Sequence, residues 1–203
     1  MLAVSARPLP IATAVVGFVV LALSAAWARR DRIPSRERAV FRAINRLPNW
    51  LYWPLWLPMQ CGNLVVGVVL GVGIALALGD VSVAIATVLA AVCKLAAERV
   101  MRDRIAAYRA VRQRPGTSEP GAILRGDVPR AGASFPSGHV ILVAAIAGVL
   151  ASAVPSAWLW APWTVVVLVA VGRVYVGAHN PLDVTAGLGA GMVIGGLLGV
   201  LLR

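Results

Sequence analysis

The sequence predicts an all-α fold, a polytopic membrane helix bundle of about six transmembrane helices. Three observations carry that expectation. Hydrophobic residues make up 60% of the 203 residues, and the mean hydropathy is +0.83. Apolar runs of about 20 residues, the length that crosses a hydrocarbon layer at 1.5 Å per residue, recur along the chain. These runs are rich in Ala, Leu, Val and Gly and lack the alternation of barrel strands, so their backbone polar groups must be satisfied within helices. Residues 1–203 hold one membrane-embedded domain, with no room for a separate soluble one.

The first predicted span is residues 9–28. Arg7, the apolar core and Ala26-Trp27-Ala28 before Arg29 also have the form of a cleavable secretory signal. The run is long for one, so a retained span is expected. Residues 29–46 carry seven arginines against Asp31 and Glu37, a polar connection suited to anionic lipid. Trp50, Tyr52, Trp53 and Trp56 form an aromatic cluster of the kind found at the headgroup level.

A second span covers residues 62–78, where Gly67, Gly71 and Gly73 allow close helix approach. Asp80 marks a tight connection to a third span, residues 81–100. It contains Lys94, the only lysine beside eighteen arginines. A lysine within an apolar helix of such a chain suggests a site suited to a compact ammonium; snorkelling to the interface is the alternative. A long polar loop follows over about residues 101–135, and loops of this length are commonly functional.

The fourth span, residues 140–154, is short and ends at Pro155. The fifth covers residues 157–175 and the sixth residues 182–202, the latter with six glycines for close packing. Only Pro155-Ser156 separates the fourth from the fifth, so the two form an antiparallel hairpin. The start of the fourth, the end of the fifth, the start of the sixth and the end of the third then share one membrane face.

On that face lie the two histidines of the chain, His139 and His179. Ser137 and Gly138 precede a helix start, where unpaired N–H groups and the helix dipole favour an anion. His179 and Asp183 are four apart, so on a helical turn the carboxylate reaches an imidazole nitrogen. Arg173 offers donors suited to phosphate oxygens. Ionisable groups are costly in lipid, and this set reads as an anion site. The plain alternative is a buried polar cluster that only ties helices together. Cys61 and Cys93 are isolated packing residues, and no metal-ligand spacing is present. The net charge of +11 sits in the connections, which points to anionic lipid and topology and not to nucleic acid.

At Pro136-Ser137-Gly138-His139, and at Arg173, His179 and Asp183, the chain resembles the type 2 phosphatidic acid phosphatase superfamily. These are membrane lipid phosphatases that share a fold with vanadium haloperoxidases. Their pattern is K-x6-R-P, then P-S-G-H, then S-R-x5-H-x3-D. The second motif is matched in full, and the third is matched with Gly172 in place of serine. The first departs: Met101 stands seven residues beyond Lys94, and Ala107 seven before Arg114-Pro115. Lys94 and Arg114 align as a motif with extra residues between them. Arg99 and Arg102 are rivals for the arginine, while Arg109 and Arg112 are expected to matter little.

The resemblance implies an enzyme that needs no metal or cofactor. It would hydrolyse the terminal phosphate monoester or diphosphate of a polyprenyl-type or glycerolipid substrate through a phosphohistidine. On that resemblance His179 is the nucleophile, Asp183 orients it, and His139 acts as acid and then as base. Lys94, Arg114, Arg173 and the N–H groups around Ser137 and Gly138 hold the phosphate oxygens. The altered first motif leaves a second reading, a catalytically weakened phospholipid-binding or scaffold protein of the same fold. Seventeen of the nineteen basic residues fall on the site face of a six-span chain. By the positive-inside rule the multi-pass protein would sit in the cell membrane with its site facing the cytoplasm. The resemblance pulls the other way, since many members of that superfamily work on the outer face.

Overall fold

A computed structural model describes residues 9–29, 33–106 and 112–202. Helix α1 (Leu9–Ala28) leads into the short amphipathic α2 (Ser35–Asn45), then α3 (Tyr52–Met59) and α4 (Leu64–Ala77). After them come α5 (Val81–Ala106), the single turn α6 (Pro115–Ser118), α7 (Gly138–Leu150), α8 (Trp160–Tyr175) and α9 (Pro181–Leu201). Apolar side chains such as Ile11, Phe18, Val65, Ile85, Val92 and Val167 face outward, the arrangement lipid favours. Trp50 and Trp53 are likewise exposed.

Among the described residues four helices are long and apolar enough to cross a membrane, or five if the α3 and α4 stretches count as one span bent by 77°. The expected six spans therefore differ from the structure in two places. In the second, expected over residues 62–78, the helix runs only from Leu64 to Ala77, and Asn63 sets its start. Asn63 adopts extended backbone, and its side-chain oxygen accepts from the Val65 and Val66 amides, so a new helix starts there in a new direction. In the fourth, α7 has only 13 residues, about 20 Å of helix. Every residue from Val140 to Leu150 is buried, so α7 is apolar all round because helices surround it.

Glycines on α9 make that central position possible. Gly187, Gly191 and Gly195 lie at four-residue intervals and form one stripe against α7. A Cβ at Gly191 would stand 2.5 Å from the Ile141 carbonyl oxygen, and one at Gly195 would stand 2.5 Å from that of Ala145. Gly189 and Gly196 meet α1 at similar range, and Ser24 Oγ lies 3.2 Å from Thr185 Oγ1 between the same helices. In lipid there is little hydrophobic drive between helices, so close backbone approach is what binds them. The packing holds the start of α7, the end of α8 and the start of α9 together at one end of the bundle.

Gly191→Ala should therefore lower the melting temperature of detergent-purified protein by several degrees, since overpacking costs about 1–3 kcal/mol. Gly73→Ala, whose Cβ would meet nothing within 4 Å, should leave it unchanged. Equal melting of the two variants would show that the α7–α9 contact is looser than described.

Candidate functional site

The turn between α8 and α9 explains the spacing from Arg173 to His179. Val176 N–H donates to the Gly172 carbonyl and Gly177 N–H to that of Val174, ending the helix. Gly177 has φ +77°, a left-handed conformation that glycine takes without a Cβ clash. The chain then doubles back, and the Ala178 and His179 amides donate to the Arg173 carbonyl at 3.1 and 3.3 Å. His179 thus lies beside the last turn of α8. Asn180 caps α9, Pro181 occupies its first turn, and Asp183 stands at the third helical position.

That placement corrects one expectation. His179 precedes the cap, so the four-residue helical spacing does not bring its ring onto the carboxylate: Nδ1 is 3.9 Å from Asp183 Oδ2. Nδ1 lies instead 2.9 Å from the Ser134 carbonyl oxygen. A carbonyl only accepts, so Nδ1 carries the proton and Nε2 keeps its lone pair. Burial, and after it the positive charges of Arg173 and Arg114, hold the imidazole well below the usual histidine range. The Asp183 carboxylate has other partners. Oδ2 accepts from the Asn180 amide at 2.8 Å, and Oδ1 accepts from Arg112 Nε at 2.9 Å.

Residues 112–134 supply the rest. Gln113 and Ala133 form an isolated antiparallel bridge, flanked by Arg114 N–H to Gly132 O and Ser134 N–H to Arg112 O. In this extended stretch alternate side chains share a face, so Arg112 and Arg114 both point toward the α8–α9 turn. Arg112 reaches Asp183 and also pairs with Glu37 of α2, which accepts from the Leu182 amide as well. Arg114 Nη1 donates to the Ala178 carbonyl at 3.0 Å. Arg125 anchors the segment by donating to the Asn45, Leu47 and Tyr175 carbonyls, with its guanidinium 4.1 Å over the Tyr175 ring. Buried Asn45 completes the anchor through both Ile123 backbone groups.

A cavity of about 730 Å³ results, and Lys94, Arg114, Gly138, His139, Arg173 and His179 all line it. The Arg173 Nε is buried with no hydrogen-bond partner, and Arg173 lines the cavity. Ser137 does not line it. Its amide donates to the Asp183 carbonyl at 2.9 Å, so the Ser137 N–H is not open to a ligand. The amides of Gly138, His139 and Val140 stand at the start of α7 without intrahelical partners. Arg99 is exposed on α5; the side chain of Arg102 and the whole of Arg109 lie outside the described residues. Among the described residues no group of three or more His, Cys, Asp and Glu could hold a metal ion.

Two positions in the site had little or no signal in the sequence. Arg112, expected to matter little, is a buried partner of Asp183, because the bridge at Gln113 turns it to the same face as Arg114. Glu98 also lines the cavity, 2.9 Å from the Lys94 ammonium. The helical spacing of Lys94 and Glu98 was the one available sign of that pair.

Comparison with known proteins adds four observations. The sequence model of the PAP2 superfamily matches residues 81–202. Over 55 residues the chain is 47% identical to an undecaprenyl-diphosphatase of Sulfolobus acidocaldarius, a match spanning 27% of this chain and 26% of that protein. The fold is similar to that of Aquifex aeolicus LpxE, with TM-score 0.65 and 22% identity over 80% of this chain and 92% of the other. It is also similar to the first transmembrane PAP2 type phosphatidylglycerolphosphate phosphatase from Bacillus subtilis, with TM-score 0.63 and 19% identity over 96% of both chains.

Truncating Arg112 would leave Asp183 and Glu37 without their shared cation, and breaking a buried pair costs about 3–5 kcal/mol. Arg112→Ala should therefore melt far below the wild type in detergent, while exposed Arg99→Ala should match it. A wild-type melting curve for Arg112→Ala would contradict the clamp.

Proposed function

The chain belongs to the PAP2 superfamily, and on that premise we propose that it is an integral membrane lipid phosphate phosphatase. It removes the terminal phosphate of a polyprenyl-type or glycerolipid phosphate or diphosphate through a phosphohistidine. The observation that carries this reading is one cavity lined by three cations and two histidines, where the Arg173 Nε is buried without a hydrogen-bond partner. Lys94 and Arg114 line that cavity together despite their irregular spacing in sequence. This supports a working site over the weakened scaffold that the altered first motif left open.

His179 Nε2 attacks phosphorus as the bond to the leaving oxygen breaks, and His139 gives that oxygen its proton. His139 then takes a proton from water as the water oxygen attacks the phosphohistidine. The N–P bond breaks and inorganic phosphate leaves. Lys94, Arg114, Arg173 and the free amides at the start of α7 hold the equatorial oxygens, and such positioning carries most of phosphoryl-transfer catalysis. Asp183 acts one step removed, fixing the start of α9 and the Arg112 clamp. No step uses a metal.

An apolar cleft of about 530 Å³ between α4, α7 and α8 runs from Cys61 to Trp158. Its Cys61 end adjoins Gly62, where a Cβ would stand 2.8 Å from that of His139. A hydrocarbon tail lying there would leave its phosphate at the histidines, which supports a lipid substrate. The excess of basic residues on the connections at the site end supports a cytoplasmic face.

Purified protein in detergent should release phosphate from at least one member of a panel of polyprenyl phosphates, polyprenyl diphosphates, phosphatidic acid and phosphatidylglycerophosphate, with EDTA present. His179→Ala should abolish release. His139→Ala should slow poor leaving groups most, and Lys94→Ala and Arg114→Ala should each cost more than about tenfold. Near-normal turnover by His179→Ala, or loss with EDTA reversed by magnesium, would overturn the mechanism.

The depressed His179 ionisation has a definite sign. The nucleophile must be unprotonated, and its folded value lies below 6.5, so it stays reactive as the pH falls past that point. The acid limb of kcat/KM arising from His179 should sit below pH 6.5, and Arg114→Gln, which removes a positive neighbour, should move it upward. A limb above pH 6.5 that ignores Arg114→Gln would argue against this assignment.

A further inference from the structure

Glu98 takes no part in the reaction written above, yet it stands inside the site. It lies one helical turn beyond Lys94 on α5, so the two side chains leave the same face. Its Oε2 is 2.9 Å from the Lys94 ammonium, and both side chains are largely shielded, at 20% and 12% exposed. Its other oxygen rests against the first residue of α7: a Cβ on Gly138 would fall 1.6 Å from Glu98 Oε1. The carboxylate therefore fills the space beside the unpaired amides that begin α7.

We propose that Glu98 is the resident counter-ion of the phosphate site. In the empty protein it neutralises Lys94 and covers the start of α7; an incoming phosphoryl group displaces it, and it returns to help expel inorganic phosphate. The inference rests on the reading that phosphate binds in this cavity. Three observations support it. Lys94, Arg114 and Arg173 line one partly buried cavity, where unmatched positive charge is costly. The N-terminus of α7 adds positive potential of the kind a carboxylate offsets. Glu98 also stands against Gly138 at the N-terminus of α7, the kind of place to which a phosphate oxygen is drawn. A carboxylate tethered on α5 competes with bound phosphate at high effective concentration. Without it, Asp127 would be the one carboxylate against three cations in the cavity lining, and product release would slow.

Glu98→Gln removes the charge and keeps the shape, and Glu98→Asp keeps the charge and shortens the reach. Both would be made in the full chain in detergent, with inorganic phosphate as the probe. It would be read by calorimetry and as product inhibition of lipid phosphate hydrolysis. Glu98→Gln should bind inorganic phosphate about fivefold more tightly or better, with KM falling in the same direction, and Glu98→Asp should show a smaller gain. A merely structural role would weaken binding, so tighter binding is the distinguishing sign. Equal or weaker phosphate binding by either variant, with melting like the wild type, overturns the proposal. If the wild type hydrolyses lipid phosphate and binds inorganic phosphate while the variants match it, this inference alone fails. If the wild type does neither, the functional reading fails with it.

Discussion

Everything at the site depends on one buried carboxylate. Asp183 is fully inaccessible, and its two oxygens face the Arg112 guanidinium and the Asn180 amide. Its own carbonyl receives the Ser137 amide at the head of α7. Through Arg112 it is joined to Glu37, and Glu37 in turn accepts from the Leu182 amide. One residue thus ties α2, the 112–134 segment, α7 and α9 into a single polar junction. A buried charge persists only when it is paired and hydrogen-bonded, so these four pieces must meet in one way or leave Asp183 unsatisfied.

The His179 ring is oriented as a consequence. Ser134 is hydrogen-bonded to the Arg112 backbone, and Arg112 holds Asp183. The Ser134 carbonyl fixes His179 through Nδ1. The carboxylate reaches the imidazole indirectly, through an arginine and a backbone bridge, instead of by a direct hydrogen bond. The arrangement leaves Nε2 with its lone pair. It also keeps the ring neutral, because burial and two nearby guanidiniums oppose protonation. A neutral, oriented imidazole is what the proposed attack on phosphorus requires.

Two packing regimes coexist in the chain. Deep in the bundle, α7 and α9 approach through glycine until backbones touch, and no polar side chain is needed. At the site end the contacts are arginine to carbonyl and arginine to carboxylate, around a cavity whose cations outnumber its carboxylates. The rigid apolar part holds the ends of α7, α8 and α9 in place. The polar part can then keep an electrostatic imbalance that favours an anion.

By itself the sequence determined the solvent, the helical class and many of the side chains that line the cavity. Long apolar runs admit only helices in lipid. Two histidines, one lysine and Arg173 stand out against them because charge in such surroundings is rare. The order of the helices was enough to bring those residues to one face. Tertiary structure decided what local periodicity does not encode. Asn63 sets the direction of α4 by capping a new helix, and α7 is buried all round because other helices enclose it. His179 falls just outside the helix that Asp183 begins, so a spacing that looked like a direct pair became two separate anchors. The role of Arg112 depended on a bridge between residues twenty apart in sequence, Gln113 and Ala133. Glu98 acquired its place only when α5 met the start of α7. Pairings of this kind depend on which surfaces meet after the helices pack, and no window of sequence short enough to read as a motif contains both partners.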